Sequence, residues 1–177
     1  DEDVIIKQVE GVNVTIDGAE KVYTGTITIH GNARHTGEET LTIKNVKFET
    51  AEAKHYFIDS NSTGSVERYA HNVTVEDCSF TATDAAVHSA VAMRIRQGFN
   101  ITVKNSTADS MHSVVQAYGN AGLTVDTVTV TNGKNGVSAG TSTGVVVKNS
   151  TMTTTGYGIR ADGKGAYDMI VEDCTID

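Results

Sequence analysis

The chain has 177 residues, 38% of them hydrophobic, and a formal net charge of −8. Its branched aliphatics are 22 Val and 12 Ile against 2 Leu, with 25 Thr and neither Pro nor Trp; stiff β-branched side chains fit a pleated surface, so a helical bundle is excluded and a mostly-β chain is expected. The acidic balance weighs against a nucleic-acid partner, which would need surplus Lys and Arg, and no apolar run approaches the roughly 18 residues of a membrane-spanning helix.

The chain opens Asp1-Glu2-Asp3, without an initiator Met or a charged-then-apolar leader, so a mature or excised segment is expected. An irregular first coil is read around Val14-Thr15-Ile16. A repeat then sets in: Ile43-Lys44-Asn45-Val46, Val75-Glu76-Asp77-Cys78, Val103-Lys104-Asn105-Ser106, Val125-Asp126-Thr127-Val128, Val147-Lys148-Asn149-Ser150 and Val171-Glu172-Asp173-Cys174. The leading aliphatics are spaced by 32, 28, 22, 22 and 24 residues, as expected for solenoid coils carrying variable loops. Period-two alternation points Leu41, Val73, Ile101, Leu123, Val145 and Met169 inward together with the leading column. The next position is outward and alternates in charge: Lys44, Glu76, Lys104, Asp126, Lys148, Glu172. The Asn/Asp/Thr position after it suits a tight corner, because Asn and Asp tolerate left-handed backbone. Beyond the corner, inward positions resume with Val46, Cys78, Ser106, Val128, Ser150 and Cys174, then Phe48, Phe80, Ala108, Val130, Met152 and Ile176.

A third strand per coil places Met93, Val115, Val137 and Ile159 inward, each 22 residues after the last, followed two residues later by Ile95, Ala117, Ala139 and Ala161. His55-Tyr56-Phe57-Ile58 is a looser counterpart without a fixed register. Insertions fall at 61–70 and 82–90. About seven coils are expected, forming one domain over 1–177 and a stack roughly 30 Å long. A β-sandwich would not keep residue types in register every 22 residues. Neither end carries a polar cap, so a fragment of a larger protein is expected.

Three short parallel strands per coil with an Asn-rich corner resemble the right-handed parallel β-helix of the pectin-lyase-like superfamily, over Val12 to the C-terminus. That fold hosts many functions. The resemblance implies an all-β solenoid and a polysaccharide site on the third-strand face.

Cys78 and Cys174 share an inward column but lie four coils apart, roughly 19 Å, too far for a disulfide; both are expected as buried small hydrophobes. Six Asn-X-Ser/Thr sequons, at Asn13, Asn61, Asn72, Asn100, Asn105 and Asn149, follow from corner Asn and outward Thr. Thr107, Thr129, Thr151 and Thr175 form an outward column; the flat Thr-X-Thr array of ice-binding solenoids is broken by Asp109 and Asp177. The six His (30, 35, 55, 71, 88, 112) show no metal-ligand spacing, and no phosphate or dinucleotide fingerprint occurs; neither a metal nor a cofactor is expected.

The third-strand face is the candidate site. Its outward rows are Arg94, Gln116, Ser138 and Arg160, then Arg96, Tyr118, Gly140 and Asp162, with His88 and His112 at the edge. The residues expected to bind are Arg94, Arg96, His112, Gln116, Tyr118, Arg160 and Asp162. Arg offers planar paired donors to a carboxylate or sulfate, and Tyr a stacking platform. His112-Ser113-Val114-Val115 and Gly158-Ile159-Arg160 resemble polygalacturonase segments, but Ser113 replaces a Gly and Asp162 a Lys, and no pair of carboxylates suited to glycoside hydrolysis is found on this face. The expectation is a non-catalytic glycan-binding or adhesin segment of a secreted or cell-surface bacterial protein, with a polysaccharide partner. A polysaccharide lyase or glycoside hydrolase is the alternative, and a structural spacer the third reading.

Overall fold

Alternating Val/Ile with Thr and charged residues yields short parallel strands throughout. The computed structural model describes residues 2–31, 38–61, 69–162 and 167–177, the side chains of Asn61, Asp162 and Tyr167 excepted. In chain order the strands are β1 (Val4–Lys7), β2 (Val14–Tyr23), β3 (Ile27–His30), β4 (Leu41–Thr50) and β5 (Tyr56–Asn61). The coils become regular with β6 (His71–Glu76), β7 (Ser79–Ala82) and β8 (Val91–Arg96), then β9 (Phe99–Lys104), β10 (Thr107–Asp109) and β11 (Ser113–Tyr118). They continue through β12 (Ala121–Asp126), β13 (Thr129–Gly133), β14 (Val137–Gly140), β15 (Thr143–Lys148), β16 (Thr151–Thr154) and β17 (Ile159–Asp162) to β18 (Tyr167–Glu172) and β19 (Thr175–Ile176).

One sheet stacks seven strands in the order β1-β3-β5-β8-β11-β14-β17; a second, of twelve strands, covers the other two faces of the coil. β2 and β4 run unbroken round the corner that later coils split into two strands. The result is an all-β parallel solenoid of about 6 turns. The seven coils expected correspond to the seven stacked layers, which six turns join.

The predicted columns are the ladder register. Leu41, Val73, Ile101, Leu123, Val145 and Met169 align across successive coils, as do Ile43, Val75, Val103, Val125, Val147 and Val171. Val125 and Val147 are fully buried. Phe48 and Phe80 stack face to face at 4.8 Å between centroids, with Phe57 at 5.3 Å from Phe48, and all three are buried in the interior of the early coils.

All six corner residues have positive φ, from 49° at Asn105 and Asp173 to 55° at Thr127. Two further left-handed columns were not legible in the sequence: Gln97, Gly119 and Thr141; and Asn72, Asn100, Gly122, Gly144 and Asp168. At Gly122 a Cβ would lie 3.1 Å from Asn100 Oδ1, so glycine answers both a backbone and a space requirement there.

Most of the 61–70 insertion, and His35, lie outside the described residues. The 82–90 insertion carries a 3-10 turn, Asp84–Ala86, and buries Ala86 and Ala90. Cys78 is buried, its thiol pushed up to about 11 by burial. Cys174, expected in the interior, is only partly buried, because it sits in the last layer with no described coil beyond it.

Candidate ligand-binding groove

Strands β8, β11, β14 and β17 hold the site. Their register sets Arg94, Gln116, Ser138 and Arg160 in one row, and Arg96, Tyr118, Gly140 and Asp162 in the next. The inward partners Ile95, Ala117 and Ala139 anchor the strands in the core, so the intervening side chains must face out. Small residues at Ala117, Ser138 and Gly140 leave a groove of about 310 Å³ with Arg94, Arg96, Gln116 and Tyr118 as its other lining residues. Four of the seven predicted residues therefore converge.

Tyr118 is 57% exposed, an aromatic surface at the groove edge. It is paired in register with Arg96, which is exposed and whose side chain makes no hydrogen bond or ion pair among the described residues. Arg94 is placed differently. Its Nε donates to Asp59 Oδ1 at 2.8 Å and its Nη2 to Oδ2 at 2.7 Å, while its guanidinium lies 3.6 Å from the centre of the Tyr56 ring. The Asp59 hydrogen bonds hold this guanidinium firmly charged.

Asp59 and Tyr56 were missed because the register of the first third-strand copy was open. The ladder pairs Ile58 with Met93 and Asp59 with Arg94. Those partners are 35 residues apart, beyond the 22-residue period, because two insertions intervene.

His112 reaches the groove through Gln116. Its Nδ1 lies 3.0 Å from Gln116 Nε2 and 3.0 Å from Ser113 Oγ. Burial, then Lys134 and His88, push its pKa down. His88 turns elsewhere, with Nε2 2.8 Å from the Asn132 carbonyl. Arg160 lies two strands from Gln116, about 10 Å, with its guanidinium 5.2 Å from the Tyr157 ring centre; it does not line the groove. Asp162 is in backbone register with Gly140, and its side chain lies outside the described residues.

Among the described residues, no group of three or more His, Cys, Asp or Glu is placed to hold a metal ion. Asp59 is the one carboxylate the described face presents beside the groove, and both its oxygens are engaged by Arg94. Chemically, the groove offers a guanidinium without a partner among the described residues, an aromatic face, an amide, a hydroxyl and a neutralised ion pair.

No protein-family model matches the chain, and no curated protein matches its sequence. Among solved structures, the chain is similar to the crystal structure of a protein from Parabacteroides merdae provisionally named a glycosyl hydrolase, with a TM-score of 0.41 and 13% identity, over 98% of this chain and 77% of that one.

Proposed function

We propose that this solenoid is a non-catalytic glycan-binding segment of a secreted or cell-surface protein, and that its site is the groove on β8, β11 and β14. The observation that carries the reading is the juxtaposition of exposed Tyr118 with Arg96, which has no side-chain partner among the described residues, beside a floor of small residues. A tyrosine face covers the apolar side of a sugar ring while its hydroxyl stays wet, and a guanidinium bonds hydroxyl or acidic groups in the plane. The two residues sit about 5 Å apart by strand spacing, within the span of one sugar.

Non-catalytic binding is favoured over hydrolysis because Asp59 is committed to Arg94, which leaves no described pair of free carboxylates to act as acid and base. A lyase or hydrolase remains the second reading, favoured by His112 at the groove edge, whose pKa burial lowers. One exposed aromatic makes a weak site, on the order of 0.1–1 mM, made useful by multivalent display. The test is a glycan array, followed by titration of wild type, Tyr118→Ala and Arg96→Ala. Binding lost in both variants, without turnover of the bound glycan, is expected. Turnover would establish the enzyme, and a blank array would leave the spacer.

A further inference from the structure

We infer that the groove selects a saccharide with one acidic group flanked by neutral, hydroxyl-bearing units, over a uniformly acidic polymer; this rests on the glycan-binding reading above. Its basis is the unequal state of two arginines on one strand. Arg94 has closed its planar fork on Asp59, at 2.8 and 2.7 Å, and is stacked on Tyr56. That fork spends two of the five guanidinium donors, and the charge is already balanced by the Asp59 carboxylate, which repels an incoming acid. Arg96, two residues on and about 7 Å along β8, is exposed and has no described partner. An anionic group is therefore stabilised at the Arg96 and Tyr118 end alone.

The other end is lined for hydroxyls. Gln116 carries amide donors and an acceptor, Ser138 a hydroxyl, and the Asp59–Arg94 pair is neutral as a unit. At the groove edge His112 Nδ1 is occupied by Gln116 Nε2 and Ser113 Oγ, each at 3.0 Å, and is not turned to an incoming acid. A polymer with a carboxylate on every unit would satisfy Arg96 and then lay its next carboxylate toward Asp59.

Calorimetric titration with three matched probes tests this: xylotriose, xylotriose carrying one 4-O-methylglucuronate, and trigalacturonate. The singly acidic probe is expected to bind roughly tenfold tighter than xylotriose, the worth of one charge-assisted contact, and trigalacturonate no tighter than the singly acidic probe. Arg96→Gln should bring the singly acidic probe to the xylotriose level. Asp59→Asn, which removes the repelling charge and loosens the hold on Arg94, should raise trigalacturonate affinity several-fold. If Asp59→Asn does not fold, the wild-type ranking still decides. Trigalacturonate binding tightest to wild type, or all three probes binding equally with loss in Tyr118→Ala, would overturn the inference and leave the glycan-binding reading standing. Binding of none of the probes, together with a blank array, would remove both.

Discussion

Ser106 and Ser150 occupy the position just after the corner, and each serves two coils. Ser106 Oγ donates to the Lys104 carbonyl at 2.8 Å and accepts the Cys78 N–H of the preceding coil at 3.2 Å. Ser150 repeats this with the Lys148 carbonyl at 2.7 Å and the Val128 N–H at 3.1 Å. Both are buried. Ser150→Ala leaves a buried amide without its partner, and such a loss costs about 1–3 kcal/mol. Urea unfolding should show it, with Ser150→Cys milder, since Cys78 holds the equivalent position and its thiol points at the Glu76 carbonyl at 3.2 Å. A Ser150→Ala protein as stable as wild type would mean water fills the role. The inward direction of this column was legible in the alternation; its hydrogen bonds were not, because spacing does not separate a serine that merely packs from one that bridges two coils. Asp59 was hidden for a related reason: its meaning depends on a partner 35 residues away.

Along the strands, the outward charge column behaves as its alternation implies, with one refinement. Each lysine leans toward the acid of the preceding coil: Lys44 to Asp17 at 3.5 Å, Lys104 to Glu76 at 2.8 Å, and Lys148 to Asp126 at 3.4 Å. Asn149 adds a bond to Asp126 Oδ1 at 2.8 Å, so the corner column and the charge column reinforce one register. Asp126 is held below the usual carboxylate range, first by Asn149 and further by Thr127 and Lys148. Lys104→Glu would set an acid between Glu76 and Asp126. These groups are half-exposed and screened, so the loss should be about 1 kcal/mol or less and should shrink between low and high salt. Chemical unfolding at two salt concentrations checks it; a loss indifferent to salt would mean that Lys104 acts through packing. The column was readable because one chemical property alternates strictly along it. The left-handed column of Asn72, Asn100, Gly122, Gly144 and Asp168 mixes three residue types whose shared property is backbone freedom, and no side-chain pattern betrays it.

For the molecule as a whole, one buried polar cluster ties the first coils together. Gln8 follows β1, Glu39 precedes β4 and His71 opens β6, and all three are buried. Gln8 Nε2 donates to the His71 carbonyl at 2.6 Å, and the His71 N–H donates to Gln8 Oε1 at 3.1 Å. His71 Nε2 lies 2.8 Å from Glu39 Oε1, and its Nδ1 lies 3.2 Å from the Tyr69 carbonyl. The cluster escaped sequence reading because its column continues with Phe99, Ala121, Thr143 and Tyr167, which share neither charge nor polarity with His71. Glu39 is held below its ordinary value, first by its own backbone N–H and further by His71. A carboxyl whose folded pKa is depressed adds stability above its unfolded value, and that contribution is lost as pH falls through the folded pKa. His71→Leu takes a hydrogen-bond partner from a buried carboxylate, which is costly while the carboxylate is charged. The variant should therefore unfold at a clearly lower temperature than wild type at neutral pH. The gap should narrow as pH drops below about 4.5, where Glu39 protonates in the unfolded chain. Pairing it with Glu39→Met removes the stranded charge and should restore part of the loss at neutral pH. Melting curves of wild type, His71→Leu and the double variant from about pH 8 to pH 3 read this out. A deficit that stays constant across that range, unrelieved by Glu39→Met, would mean that His71 stabilises the early coils by filling space and not by answering the Glu39 charge.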